Sequence, residues 1–266
     1  MNELANSRGY ADAWERLRQL STEALLIPYR WLMTRVVALR GNIVEIDGCK
    51  FAVGASVINR KNRFLFNHYE PTEREMIRKY IDPKLPVIEL GSAVGVISCI
   101  ANRLLEHPEQ HVAIEANPQL IPVLRENREL NGCRFAILHR AIAYDAAEAV
   151  FYVNENFTES STCATTDRPV RVAATTLAAV ADEYGFERFT LLCDIEGAEK
   201  YLIAREAQVL SERVETLFIE IHDVLRKTVR NDLANRLQQL GFEPLFQRGD
   251  DFVFRKSSPK ARYSQA

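Results

Sequence analysis

Cysteine, glycine and charge of one sign are all scarce in this chain, and each scarcity removes a class of function. The five cysteines, Cys49, Cys99, Cys133, Cys163 and Cys193, are odd in number, scattered, and never spaced as CxxC. That argues against a disulfide framework or a zinc site and for a reducing compartment. With 34 Lys and Arg against 36 Asp and Glu, the formal net charge is −2. Such balance gives no electrostatic reason to expect a nucleic acid or an acidic polymer as partner. No apolar run reaches membrane-spanning length, and the polar start MNELANSRGY does not read as a secretory leader. A cytoplasmic location is the expectation. Eleven glycines are spread over 266 residues without a single GxGxxG, so the usual pyrophosphate cradle is missing. No internal repeat is visible.

What is present centres on Val87 to Ile100, VIELGSAVGVISCI, and its partner VAIEANP from Val112 to Pro118. The first reads as a buried strand, a glycine-bracketed turn and an apolar helix start. Gly91 and Gly95 let backbone approach a ligand closely, and the helix that follows aims free N–H groups back at the turn. About two dozen residues later a second strand ends in Glu115, where a doubly wound fold holds ribose hydroxyls. Asn117-Pro118 then reads as a helix start. The pair points to an adenosine-type cofactor. Ala93 fills the slot of the middle glycine, and Glu89 just before the turn would repel a pyrophosphate and attract an ammonium. S-adenosyl-L-methionine, with an amino-acid end, a ribose and no phosphate, fits that set better than NAD. A close-packed turn with no ligand is the competing reading.

In chain order, residues 11–39 read as helices interrupted near Pro28, basic and bearing Trp14 and Trp31. A segment of this kind packs on its own domain or on a second subunit of a homodimer, and peripheral membrane contact is the less favoured use. GNIVEIDGCKFAVGAS reads as a hairpin turning at Asp47-Gly48 and serving as a lid or platform. Residues 60–67 read as a basic linker. Thr72 and Glu75 read as a capping box opening a helix to Tyr80. A third strand is expected from Arg134 to Ala143 and another short one from Ala149 to Val153. The polar run Asn154 to Thr166 reads as a loop that either covers a site or is simply an exposed connection. Strands at Phe189 to Cys193 and Thr216 to Ile221 alternate with helices at Ala198 to Leu210 and Leu225 to Leu240, the latter stopped by Gly241. Phe242 to Phe246 and Asp251 to Arg255 close the chain as an antiparallel hairpin. The fold class is therefore α/β, a mostly parallel sheet with helices on both faces. Its units are an N-terminal helical and hairpin extension over 1–70, a core over 71–256 and a polar tail over 257–266.

A sheet of this kind binds ligands beyond the carboxyl ends of its strands, which gathers Glu89, Glu115, Arg140, Asp194 and His222 around one crevice. Two blocks sit where a substrate would meet the cofactor, DIEGAE at Asp194 to Glu199 and EIH at Glu220 to His222. Methyl transfer from a sulfonium is a direct displacement that needs alignment and, for a hydroxyl acceptor, removal of one proton. Asp194 or His222 could be that base, with Glu196 and Glu199 orienting it or holding substrate. Helix capping by Glu199 and backbone contacts by Glu196 are the structural alternatives. An Asp/Glu/His set also suits Mg or Mn, yet the sequence reading assigns no metal ligand.

At these residues the chain resembles the FkbM-type S-adenosylmethionine-dependent methyltransferases over roughly Pro83 to Phe254. The resemblance rests on ELGSAVG, IEANP, DIEGAE and IEIH. It implies the seven-stranded, Rossmann-like class I methyltransferase fold and cofactor contacts from Glu89, Gly91, Ser92, Ala93, Gly95, Glu115, Ala116 and Asp194, with Arg140 and Ala141 near the adenine. It further implies O-methylation of a hydroxyl on a sugar, glycan or secondary metabolite. Departures are Glu89 for the family's usual Asp, Val94 where Asn is favoured, Ala178 where an acid is common, and Leu192 where lysine is common. An NAD-linked sugar oxidoreductase and a non-catalytic cofactor-binding scaffold are the rival readings. No Tyr-x-x-x-Lys pair follows the core strands to support the first.

Overall fold

In the computed structural model the described residues are 35, 38–39, 41–53, 69–152, 169–222 and 227–257. The helices expected over 11–39, the linker over 60–67, the loop over 154–166 and the tail over 257–266 fall largely or wholly outside them. Among the described residues no helix is long and apolar enough to cross a membrane.

The hairpin forms as read. Strands β1 (Ile43–Ile46) and β2 (Cys49–Ala52) pair antiparallel with Ile46 opposite Cys49. Asp47 and Gly48 both take positive φ, 52° and 75°, the two-residue turn whose twist matches that of the strands it joins. The expected capping box does not form. Helix α1 (Pro71–Tyr80) begins two residues earlier than a Thr72 cap would give, at a proline that has no N–H to satisfy. Glu70 holds the cap position with φ 42° and no side-chain cap, and Glu75 pairs instead with Arg248 at 2.8 Å.

Strand β3 (Val87–Leu90), helix α2 (Val96–Leu104), strand β4 (His111–Glu115), helix α3 (Ile121–Leu130) and strand β5 (Ala136–His139) follow. Asn117 does not open α3. Its Oδ1 accepts from Gln119 N at 3.0 Å, closing a separate turn, and Pro122 takes the first helical turn. The strand expected over 134–143 is cut at Arg140, whose N–H bonds to Leu138 O at 3.1 Å and leaves the ladder. Strands β6 (Ala141–Ile142), β7 (Glu148–Tyr152) and β8 (Pro169–Thr175) then form a small separate sheet in the order β6-β8-β7.

Helix α4 (Leu177–Glu183), capped by the Thr176 side chain, leads to β9 (Phe189–Cys193). The single helix expected after it is two, α5 (Glu199–Arg205) and α6 (Ala207–Arg213). At the break, Glu206 reaches across to accept from Leu177 N at 2.7 Å, filling orphan donors at the start of α4. Strand β10 (Val214–Glu220), helix α7 (Lys227–Gln239) and strands β11 (Phe242–Arg248) and β12 (Asp251–Lys256) complete the chain.

The main sheet has seven strands in the order β11-β12-β10-β9-β3-β4-β5. Pairs β10–β9, β9–β3, β3–β4 and β4–β5 are parallel, and β12 runs antiparallel to both β10 and β11. The closing hairpin forms one edge of the sheet, with its second strand between β10 and the edge strand β11. This is the α/β, Rossmann-like sheet that the sequence predicts. Strand alternation divides the core. Val87, Ala113, Leu192 and Phe218 face the hairpin, α1, α2 and α3, while Ile88, Leu90, Val112, Leu191 and Leu217 face α4, α5, α6 and α7. Burial on both faces explains why VIEL and FTLLC read as mainly apolar runs, each with one buried polar residue, Glu89 and Thr190.

Candidate functional site

The chain leaves β3 toward β4 and β5 on one side and later returns to β9 and β10 on the other. The crevice between the carboxyl ends of β3 and β9 is therefore the switch point at which sheets of this kind take ligands. A cavity there is walled by Tyr69, Glu70, Glu73, Glu89, Gly91 and Asp194, among others.

Both turn glycines answer first to the protein's own packing. Gly91 has φ 85°, and a Cβ there would lie 1.7 Å from the Asp194 carbonyl oxygen. Gly95, also at 85°, faces Leu124 Cδ1, which a Cβ would meet at 2.6 Å. Between them Ala93 takes φ 47° and turns its N–H onto Glu115 Oε2 at 2.7 Å. Glu115 Oε1 accepts from Asn117 N at 2.7 Å. Its carboxylate thus staples the two turns that border the crevice, and burial, only partly offset by those backbone bonds, pushes its pKa up to about 7. Glu89 is buried on the cavity wall with Oε2 at 3.1 Å from His111 Nε2. Ser92 is buried, its backbone N–H and hydroxyl both directed at Ile114 O.

DIEGAE and EIH meet around one imidazole. His222 Nδ1 lies 3.1 Å from Glu199 Oε1, and Nε2 lies 3.3 Å from Glu196, 3.4 Å from Glu220 and 3.8 Å from Asp194. Glu199 is 1% exposed, and the same oxygen accepts from Ile195 N at 3.2 Å and Gly197 N at 3.1 Å. The capping alternative for Glu199 does not hold, since α5 (Glu199–Arg205) has no side-chain cap and the N–H groups whose bonds Glu199 accepts precede it. The carboxylate instead fixes the DIEGAE turn and contacts His222. Burial opposes a charged imidazole, yet the Glu199 bond and the surrounding carboxylates win and raise His222 to about 10. Asp194 rises to about 7, chiefly through burial, with His222 pulling down and Glu196 and Glu199 pushing up. Glu220 also reaches about 7, from burial and then the Asp194 charge.

Helix α1 adds two acids that the sequence reading did not place here. Burial and then the charges of Asp194 and Glu220 raise Glu70 to about 8, and burial with Glu70 and Asp194 holds Glu73 well above the usual carboxylate range. Their three-residue spacing was the available signal, obscured by reading the segment as a capping box. Other expected residues lie to one side. Arg140 turns its guanidinium to Glu183 at 2.5 Å, Ala141 is buried in the small sheet, and the Ala116 carbonyl accepts from His139 Nε2 at 3.2 Å. The site is rich in carboxyl groups, with His222 at the centre of one cluster and His111 against Glu89.

The chain matches no family model and no curated protein. Among solved structures it is similar in fold to a ribosomal protein L11 methylase from Lactobacillus delbrueckii subsp. bulgaricus, at 14% identity over 72% of this chain and 80% of that one, TM-score 0.42. A protein of the NADB-Rossmann superfamily from Streptococcus agalactiae aligns at 11% identity over 70% and 68%, TM-score 0.44. A precorrin-6y C5,15-methyltransferase from Geobacter metallireducens aligns at 12% identity over 70% and 86%, TM-score 0.39.

Proposed function

We propose that this chain is an S-adenosyl-L-methionine-dependent methyltransferase acting on a hydroxyl of a sugar, glycan or secondary metabolite. The observation that carries the reading is the concentration of negative charge at the switch point, where Glu70, Glu73, Glu89 and Asp194 wall one cavity. Burial first, and then the charges of neighbouring carboxylates, make Glu70, Glu73 and Asp194 hold their protons more tightly than ordinary carboxyl groups do. The proposed donor carries an ammonium and a sulfonium and no phosphate, so it would supply the missing positive charge where a dinucleotide would add negative charge. A polyanionic acceptor is disfavoured for the same reason. The motifs that resemble the FkbM-type enzymes support the acceptor class.

In this reading Glu115 receives the ribose, Glu89 and the turn after β3 receive the amino-acid end, and DIEGAE faces the acceptor. The acceptor oxygen attacks the methyl carbon, the carbon–sulfur bond breaks toward a neutral thioether, and the hydroxyl proton passes to a carboxylate. Asp194, poised near neutrality, suits that task. With no ion bound, His222 is protonated up to about pH 10, stabilises the cluster and does not itself act as base. The interior of the cavity is about 30 Å³, room for roughly one water, so donor binding requires the site to open.

A thermal-shift titration tests the assignment. S-adenosylhomocysteine is expected to raise the melting temperature and NADH to leave it unchanged. Stabilisation by NADH alone would overturn the reading.

A further inference from the structure

We propose that Asp194, Glu196, Glu220 and His222 form a site for one divalent cation of the Mn²⁺ or Mg²⁺ class. This goes beyond the methyl-transfer reading and does not depend on it. His222 Nε2 faces oxygens of Glu196, Glu220 and Asp194 at 3.3, 3.4 and 3.8 Å. Ligands at neighbouring positions around an ion with bonds of about 2.1 Å stand about 3.0 Å apart, and opposite ones about 4.2 Å. The donor atoms of Asp194, Glu196 and His222 all lie within 4.8 Å of one another, as do those of Glu73, Asp194 and Glu220. Asp194 is common to both groups, so the two triads adjoin.

Two further observations distinguish this set from a chance gathering of acids. Asp194 Oδ1 is shielded from solvent and accepts no hydrogen bond among the described residues. His222 Nε2 faces it at 3.8 Å, beyond hydrogen-bond reach, which leaves the oxygen in a costly state that a cation bound between them would relieve. His222 is also oriented as a metal ligand is oriented. Buried Glu199, itself fixed by the N–H groups of Ile195 and Gly197, takes the Nδ1 side and leaves Nε2 directed at the carboxylates. A carboxylate behind the imidazole that sets its tautomer and angle is the usual outer partner of a ligating histidine. Oxygen donors with one imidazole and no thiolate select Mn²⁺ or Mg²⁺ over the softer metals.

The competing occupant is a proton on Nε2, and a titration with Mn²⁺ separates the two. The six-line electron paramagnetic resonance signal of free Mn²⁺ is followed as the full chain is added, without donor or acceptor. The expected result is loss of the free-ion signal at one Mn²⁺ per chain, with excess Mg²⁺ restoring it. Asp194→Asn and His222→Gln should each weaken binding by roughly tenfold or more, with circular dichroism confirming the fold. Glu196→Gln, at a partly exposed position, gives the same readout should either of those variants fail to fold. An undiminished six-line signal at millimolar Mn²⁺ overturns the proposal, as does stoichiometric binding that survives all three substitutions. Separate calorimetry with S-adenosylhomocysteine reports on the donor site, so the two readings fail independently.

Discussion

The Glu115 carboxylate accepts the Ala93 N–H at 2.7 Å, tying the tip of β4 to the turn that follows β3. Its other oxygen holds Asn117 N at the same distance. Glu115→Ala removes both acceptors and leaves two N–H groups beside the crevice without their partner. The expected cost is about 2 kcal/mol in urea unfolding, because bonds to a charged acceptor exceed neutral ones. S-adenosylhomocysteine affinity should fall at least tenfold, about 1.4 kcal/mol. Calorimetry that finds unchanged affinity in a folded variant would remove Glu115 from the ribose position.

The two turn glycines should respond differently to alanine. At Gly91 the added Cβ would sit 1.7 Å from the Asp194 carbonyl oxygen, and backbone cannot step aside without moving β9. Overpacking and left-handed strain together predict a loss of about 4 kcal/mol or more. At Gly95 the obstacle is the end of the Leu124 side chain at 2.6 Å, which can rotate. Gly95→Ala should cost about 2 kcal/mol, and adding Leu124→Ala should restore part of the steric term. Equal losses at the two positions in denaturant unfolding would contradict this ordering.

Glu70 gives a pH signature. Its pKa stands at about 8 against 4.5 for an ordinary glutamate, through burial and then the charges of Asp194 and Glu220. The folded chain holds this proton more tightly than the unfolded chain does. Its contribution to stability is therefore complete below about pH 4.5 and is lost as the pH rises through about 8. Glu70→Gln keeps the neutral shape and cannot ionise. Relative to the parent it should gain on the order of 1 kcal/mol, or about 2–4 °C, between pH 5 and pH 9. A parallel pH dependence in parent and variant would show that Glu70 ionises freely.

The central sheet was legible because its strands are buried on both faces and announce themselves as apolar runs, and because Asp47-Gly48 permits few conformations other than a tight turn. What escaped reading depended on partners distant in sequence. Arg140 and His139 are the only polar residues between Phe135 and Ala143, and it is the N–H bond from Arg140 to Leu138 O that shows the strand ends there. Glu206 breaks a helix of ordinary composition in order to reach Leu177 N, 29 residues earlier. Glu70 and Glu73 enter the site because Pro71 starts α1 one residue before the apparent cap. Gly91 was legible as a special position, while its cause, the Asp194 carbonyl, was not. DIEGAE and EIH could be placed around one crevice from their strand-end positions, whereas the convergence of several carboxylates on the one imidazole of His222 needed the register of β9 against β10.

Asp194 and His222 carry the last prediction. Under the proposed methyl transfer, Asp194 must be ionised to accept the hydroxyl proton, so kcat should rise with pH through about 7 and then level. Asp194→Asn should lower kcat by roughly 10²–10⁴-fold while leaving S-adenosylhomocysteine affinity nearly unchanged. His222 draws the Asp194 pKa down across 3.8 Å. His222→Gln removes that charge and should move the acidic limb of the rate profile to higher pH, with a smaller loss at the plateau. If His222 were itself the base, the substitution would abolish the plateau and leave no limb to move. The pH–rate profiles of the two variants therefore assign the proton to one side chain or the other.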